Sequence, residues 1–344
     1  MTDQKITLKP TLRSRVSKRF LQWGKGMEVL VRDPDKQRVL ASRIKQLGLT
    51  LARFVILFGL SFVIVYPIIQ QVAIAFRAPE DINNVAVVWI PETLSIENFR
   101  IAMAALDYWT AFQNTVFLAF FATLLQVAST SLVGYAFARF KFPGHNLLFI
   151  LVLLTIIVPP ATLAFPQFLY FRRAGLLGQP GAIFLMSGLG MGINSGIFIY
   201  LFRQFFKGIP LELEEAAQVD GASAFKIFYT VMLPNARGAI VTVALFAFVW
   251  QWNDSYFSGM FISGANVDFP ILAHRLTTLV HGLQGTLTTL GIWRLVGQDV
   301  TENPLFVSLI LNTAGIMVMA PLLIMYLFVQ RLFVEGIERT GITG

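Results

Sequence analysis

The amino-acid sequence predicts an all-α, polytopic membrane protein with six transmembrane helices. Of its 344 residues, 56% are hydrophobic and only 13% are charged, whereas a soluble domain carries about 25% charged residues. The mean hydropathy is strongly positive, at +0.66. Because so few charges cannot cover a water-facing surface of this length, the composition excludes an ordinary soluble enzyme and a disordered chain.

Six segments are long and apolar enough to cross a bilayer, which takes about 20 residues of helix. None shows the strict alternation of a membrane β-barrel strand. Five of them are uncharged, and the fifth in chain order contains Asp254 towards its far end. The predicted spans are residues 54–76, 112–138, 146–171, 181–202, 238–262 and 305–329.

The distribution of lysine and arginine predicts the orientation in the cell membrane. The formal net charge is +8, and residues 1–53 alone carry +9. Positive segments stay in the cytoplasm, so an arm of residues 1–52 and, after six spans, a tail of residues 337–344 are both expected there. The membrane domain between them covers residues 53–336. The charge is therefore explained by one segment near lipid, and no nucleic-acid partner is expected.

The arm has a pattern of its own. Apolar residues recur every three or four positions, with lysine and arginine between them, at Leu12, Val16, Phe20, Trp23, Met27 and Leu30. This spacing favours a basic amphipathic helix lying on an anionic lipid surface. The alternative is a solvated tail in which the spacing is accidental.

A long loop, from Arg203 to Arg237, separates the fourth and fifth predicted spans. Pro210 suits the first turn of a helix, and the glutamates that follow suit the N-terminal end of the helix dipole. Gly221 can adopt the left-handed conformation that ends a helix. Two helices joined by a glycine turn are therefore expected.

The second helix of this loop has its own boundaries. Ser223 can cap its N-terminus, and Leu233 with Pro234 should end it before the next span. Its apolar face would consist of Phe225, Ile227, Phe228 and Val231. A structured and partly apolar loop is expected to dock against another surface.

This loop resembles the EAA loop of the permease subunits of binding-protein-dependent ABC importers. The resemblance is carried by Glu215-Ala216-Ala217, Asp220-Gly221-Ala222 and Leu233-Pro234. It implies that the coupling segment, residues 208–235, inserts its short helices into a groove on a cytoplasmic ATPase. It also implies the type I importer architecture, and Phe228 is counted with these motif residues in the coupling segment.

Further residues resemble carbohydrate permeases of the maltose-permease type, in particular the shorter, six-span subunit. These are residues 94–99, Pro159-Pro160 with Pro166, Trp252-Asn253-Asp254, and Gln330-Arg331 with Phe333 and Gly336. The resemblance covers residues 54–344. The long basic arm, an extended outer loop over residues 263–303 and the sequence of the tail depart from the pattern of that group.

The resemblance implies a set of partners. These are a second homologous permease, two ATPase subunits, an extracytoplasmic solute-binding protein, a sugar substrate and the lipid bilayer. The sequence has no G-x-x-x-x-G-K-[ST] phosphate loop, so ATP and magnesium would be bound by the ATPases and no cofactor by this chain. The chain is therefore expected to be a transport subunit and not an enzyme. Its only paired histidines, His274 and His281, lack acidic neighbours and predict no metal site.

A few polar or helix-breaking residues inside the predicted spans are candidates for the translocation path or a hinge. The paired prolines break a helix, and an intramembrane acid faces a cavity or ends a helix. For the asparagines, bonding across helices is the alternative. The candidates are Pro159, Pro160, Asn194, Asn253, Asp254 and Asn312.

Three other functions remain open. An ABC importer permease for another solute, such as a polyamine or a phosphonate, would share the EAA loop. An ATP-independent secondary transporter would have inverted repeats and buried charges, which are not evident here. A membrane-embedded enzyme would need acidic or nucleophilic clusters at one interface, and none stands out.

Overall fold

The computed structural model describes residues 34–78, 81, 91–263, 269–292 and 303–341. Within these ranges the chain is helical, apart from turns, short connections and an isolated bridge between Arg77 and Leu94. The predicted amphipathic helix of the arm lies outside the described residues, as do parts of the outer loop (264–268 and 293–302) and the end of the tail (342–344).

Fourteen α-helices are numbered here in chain order within the described ranges. The first seven are α1 (Pro34–Ala75), α2 (Glu97–Leu106), α3 (Tyr108–Arg139), α4 (His145–Ile157), α5 (Ala161–Arg173), α6 (Gly181–Gly188) and α7 (Ser195–Gly208). The others are α8 (Glu212–Val219), α9 (Ala224–Ile227), α10 (Leu233–Asn235), α11 (Arg237–Trp252), α12 (Tyr256–Phe261), α13 (Leu272–Thr289) and α14 (Pro304–Gly341). A π-helical turn, Phe228–Met232, joins α9 to α10.

The chain forms two compact units, Met1–Ile69 and Gln70–Gly344. In the first unit, α1 begins at Pro34, well before the predicted span at residue 54, so the predicted end of the arm falls inside a helix. Its apolar side chains are exposed, among them Phe54, Leu57, Phe58, Val63 and Ile64. So large an apolar surface suits a lipid environment.

In the second unit, α3 lies at the centre and packs against α6, α7 and α11. At Gly134 the backbones of α3 and α7 approach so closely that an added Cβ would lie 2.6 Å from the Cβ of Phe202. Small residues of this kind allow membrane helices to pack tightly.

Three buried apolar clusters fill this unit. The first surrounds Trp252 with residues of α2, α13 and α14. The second joins Tyr135 of α3 to α7, the coupling segment and α11. The third includes Phe171 of α5, Ile183 of α6 and Phe261 of α12. The coupling segment is therefore part of the core and not an appended loop.

Three helices are long and apolar enough to cross a membrane without a break: Ala41–Ala75, Tyr108–Arg139 and Pro304–Arg331. Two bent pairs pass the same criterion together and raise the number to five. They are α4 with α5, bent by 103°, and residues 224–235 with α11, bent by 82°. The fold is thus all-helical with three to five candidate spans in the described ranges.

The sequence predicts unbroken helices in two places where the structure has breaks. Residues 181–202 form α6 and α7 with a non-helical stretch between them, where Gly190 and Asn194 have φ angles of +71° and +56°. Residues 238–262 form α11 and α12, separated at Asn253–Ser255. An apolar composition favours a helix over such a stretch. It does not reveal which residues adopt a left-handed backbone conformation, and such residues end a helix.

Candidate functional site

The coupling segment begins with an acidic helix. Three glutamates, Glu212, Glu214 and Glu215, occupy the first turn of α8, where the helix dipole stabilises negative charge. The structure corrects the predicted position of Pro210, which precedes the helix instead of lying in its first turn. The acidic start of the helix is as expected.

Gly221 ends α8 as predicted, with a φ of +76°. The amide of Gly221 donates to the carbonyl of Gln218 at 2.9 Å, and the amide of Ala222 donates to that of Ala217 at 3.0 Å. This pair of bonds is the Schellman arrangement, which requires a left-handed residue at the position of Gly221. The chain therefore turns here by a mechanism that favours glycine.

Ser223 caps the second helix, and its Oγ accepts from the amide of Lys226 at 3.4 Å. Of the predicted apolar face, Ile227 and Phe228 are buried, while Phe225 is 65% exposed. The prediction was therefore wrong for Phe225, which lies on the exposed side of α9, before the π turn at Phe228–Met232. The prediction that Leu233 and Pro234 end the helix was wrong, because they begin α10, which ends at Asn235 and where a proline in the first turn is tolerated.

One residue of α8 points into the protein. Glu214 as a whole residue is 4% exposed; its Oε1 accepts from the hydroxyl of Tyr135 at 2.5 Å. Its Oε2 lies 2.9 Å from Nε of Arg139. The N–H of that nitrogen does not point at the oxygen, so this contact is an ion pair and not a hydrogen bond. Both partners lie in the last two turns of α3.

Arg139 also holds the residue that leads into α8. Its Nη2 donates to the carbonyl of Ile209 at 2.5 Å. The ring of Tyr135 lies 5.3 Å from that of Phe228 and 5.8 Å from that of Phe206. Thus the end of α3 contacts both helices of the coupling segment, through charge on one and through aromatic packing on the other.

The opposite face of the segment is exposed. Glu215, Ala216, Asp220 and Gly221 of the recognised motif are all exposed, whereas Ala217 and Ala222 are half-buried. Large apolar side chains accompany them, with Val219 at 89% and Phe225 at 65% exposed. A polar and apolar face next to a rigid turn has the composition of a surface that binds another protein.

Sequence reasoning missed Tyr135, Arg139 and the inward orientation of Glu214. The acidic first turn and the basic end of α3 were visible, but nothing local pairs residues more than 70 positions apart. A buried carboxylate needs a cationic partner, but only the tertiary structure shows that Glu214 is buried.

The paired prolines lie at the sharp bend between α4 and α5, and both are exposed. Pro160 is the residue before α5, and Pro159 precedes it. The predicted break at this position is confirmed.

Asp254 caps α12. Its carboxylate accepts from the amide of Phe257 at 3.1 Å and from the amide and hydroxyl of Ser258, each at 2.7 Å. Asn253 is exposed and donates to the carbonyl of Val249 at 2.9 Å. The Asp254 carboxylate and the Asn253 amide nitrogen therefore both bond to groups within about one turn of their own positions.

The other candidate asparagines also have local roles. Asn194 takes a left-handed conformation before α7. The residues on either side of it accept hydrogen bonds from the side-chain amide of Gln126, through the carbonyl of Ile193 and the hydroxyl of Ser195. Asn312 donates to the carbonyl of Ser308 at 2.7 Å. Within the described ranges, no hydrogen bond joins any two of the six candidates for the translocation path.

The described part of the chain thus combines an all-helical, apolar domain with a two-helix segment that turns at Gly221. The model of the family "Binding-protein-dependent transport system inner membrane component" matches residues 129–339, which is more than half of the chain. The chain belongs to this family and is a multi-pass component of the cell membrane. Membership implies ATPase and substrate-binding-protein partners.

Two curated relatives match over most of their length. An arabinooligosaccharides transport system permease protein of Halalkalibacterium halodurans is 29% identical over 83% of this chain and 93% of its own. A melibiose/raffinose/stachyose import permease protein of Bacillus subtilis is 28% identical over 74% of this chain and 84% of its own.

A solved structure shares the fold. It is a chain of a bacterial ABC transporter involved in the import of the acidic polysaccharide alginate, with a TM-score of 0.68 at 21% identity. The match covers 85% of this chain and 98% of that chain. At this identity the likeness establishes the fold alone.

Proposed function

We propose that this chain is the membrane permease subunit of an ATP-driven ABC importer for a carbohydrate, an oligosaccharide or related sugar. The observation that carries the coupling role is the segment around Gly221. One face of it is fixed to α3 through Glu214, and the other leaves Glu215, Val219 and Phe225 exposed. A segment fixed on one side and open on the other is suited to transmit movement.

The substrate class is inferred from two sources. The curated relatives are permeases for arabinooligosaccharides and for melibiose, raffinose and stachyose. The sequence segments at residues 94–99 and 252–254 also resemble those of sugar permeases. Together they favour a sugar over a polyamine or phosphonate.

The proposed assembly contains this chain, a second homologous permease, two ATPase subunits and an external solute-binding protein. We place the coupling segment and both termini in the cytoplasm, with six passages through the membrane. The fourth passage would be formed by α6 and α7 on either side of the break at Asn194. ATP and magnesium would be held by the ATPases.

Transport would proceed by alternating access. Closure of the ATPases would move the coupling segment, and the cavity between the two permeases would change from outward-facing to inward-facing. The bend at Pro159-Pro160 and the breaks at Asn194 and at Asn253-Asp254 are the proposed hinge or path positions.

The test is a substitution at the glycine turn. Gly221→Val forces a β-branched residue into a left-handed conformation, which costs on the order of 1–3 kcal/mol and reorients α8 against α9. We expect the complex with the ATPases to be lost on copurification, together with uptake of labelled oligosaccharide.

A matched control is Gly175→Val. Gly175 also has a positive φ, +67°, and no atom lies within 4 Å of an added Cβ there, as at Gly221. It should therefore impose similar strain outside the coupling segment and leave ATPase binding intact. If Gly221→Val retains both binding and uptake, the proposed coupling role is wrong.

A further inference from the structure

Three polar side chains meet where the coupling segment contacts α3. They are Glu214 of α8 and Tyr135 and Arg139 of α3, joined by a 2.5 Å hydrogen bond and a 2.9 Å ion pair. We call this group the α3–α8 joint. The side chains of Arg139 and Glu214 are 12% and 6% exposed, so water competes little for either charge.

Burial makes this joint specific. A buried ion pair contributes little net stability against an apolar replacement, but an unpaired partner is strongly unfavourable. The pair therefore penalises any displacement of α8 relative to α3 more steeply than apolar packing, which permits sliding. Glu214 and Arg139 are held in one register.

Each α3 residue of the joint holds two parts of the coupling segment. Arg139 contacts the Glu214 carboxylate and the Ile209 carbonyl, which lie on either side of the start of α8. Tyr135 donates to Glu214 and packs its ring on Phe228 of the second helix. Movement of either helix of the segment would therefore act on the same two residues of α3, Tyr135 and Arg139.

The receiving helix is central. α3 packs against α6, α7 and α11 in the second unit, and at Gly134, next to Tyr135, its backbone lies close to Phe202 of α7. A displacement at the end of α3 is therefore transmitted into the helices that surround it, because packed interiors are not freely deformable.

We propose that the α3–α8 joint is the mechanical link through which movement of the coupling segment is converted into movement of α3. Glu214, Tyr135 and Arg139 are positioning residues in this role. This inference rests on the proposed function and adds to it the residues that carry the motion inward from the docking surface.

The test uses the complete importer in proteoliposomes, with its partner permease, ATPases and binding protein. The measured quantity is the amount of oligosaccharide taken up per ATP hydrolysed. Tyr135→Phe removes one hydrogen bond and leaves the ion pair, while Glu214→Gln removes the charge and keeps the shape. In both variants we expect ATPase copurification to persist and uptake per ATP to fall, by roughly fivefold or more for Glu214→Gln.

Two further variants separate this role from simple stability. Glu97→Gln makes the same change in an exposed ion pair with Arg100 and should leave uptake per ATP unchanged. Exchange of the two charges, Glu214→Arg with Arg139→Glu, should recover part of the ratio lost in Glu214→Gln, because opposite charges again face each other.

The results distinguish the two proposals. An unchanged ratio in both Tyr135→Phe and Glu214→Gln, with assembly intact, overturns the joint as a mechanical link. Loss of ATPase binding in Tyr135→Phe overturns it too, since the joint would then serve docking. If the unsubstituted chain itself binds no ATPase, it is the proposed function that fails.

Discussion

Two acids at helix N-termini, Glu214 and Asp254, behave in opposite ways. Glu214 lies in the first turn of α8 and reaches out of its helix to Tyr135 and Arg139 of α3. Asp254 precedes α12, and its carboxylate accepts hydrogen bonds from two backbone amides and one hydroxyl of that same helix. The same chemical group thus joins distant elements in one place and fixes local backbone geometry in the other.

The difference shows how function is distributed in this chain. In the coupling segment the recognised motif surrounds a tertiary contact, so disturbing it should affect partner elements. The carboxylate of Asp254 is bound within its own helix, so removing it should affect one short helix. Three substitutions separate these cases, in order of decreasing effect on stability.

The largest effect is expected for Arg139→Met. The substitution leaves the carboxylate of Glu214 buried without a cation and removes the donor to Ile209, so the free energy of unfolding should fall by about 3–5 kcal/mol. Thermal denaturation of the purified protein in detergent measures this. Arg100→Met, at the exposed ion pair with Glu97, should cost no more than ~1 kcal/mol. Similar losses in both variants would contradict the distinction between the buried and exposed pairs.

A smaller effect is expected at Asp254. Asp254→Ala removes the cap of α12 and should cost about 0.5–2 kcal/mol, whereas asparagine caps nearly as well as aspartate. Asp254→Asn should therefore keep both the melting temperature and sugar uptake. A stable Asp254→Asn variant that fails to transport would show that the carboxylate serves the translocation path and not only the helix.

The smallest effect concerns His274, which packs against α12 at Gly259. Burial, and then the charge of Arg275, lower the pKa of His274 below its ordinary value, while a hydrogen bond with the Ser255 backbone opposes them. The unfolded chain therefore takes up the proton first, and stability should fall as the pH drops from about 7 towards 5.

Melting temperatures across that pH range measure this effect. His274→Gln should flatten the dependence. An unchanged slope in His274→Gln would assign the pH dependence to other groups and detach His274 from the stability of α12.

Much of the helical fold follows directly from local sequence. Runs of apolar residues identified α3 with boundaries close to those observed, because a membrane span requires one long apolar helix. They also identified the start of α14, but this helix continues past the predicted end at residue 329 to Gly341, into the predicted tail. Gly221 and Ser223 identified the turn and the second helix of the coupling segment, because their backbone and side-chain preferences act within a few residues.

The breaks were harder to predict. Residues 181–202 and 238–262 are apolar enough for continuous spans, yet left-handed Asn194 and the helix-capping Asp254 interrupt them. Hydropathy averages over a window and does not register a single residue that changes the backbone. Phe225 was also wrongly assigned to the buried face of its helix, since an apolar side chain can stand on an exposed face.

The sequence by itself determined an all-helical membrane protein, the position of the coupling segment and the family to which it belongs. Only the tertiary structure decided which glutamate faces inward, which residues of α3 receive it and which polar candidates are satisfied locally. Helix propensity, capping and hydropathy act over a few residues or one span. The pairing of Glu214 with Arg139 depends on the packing that brings distant segments together and on the unfavourable energy of a buried charge without a partner.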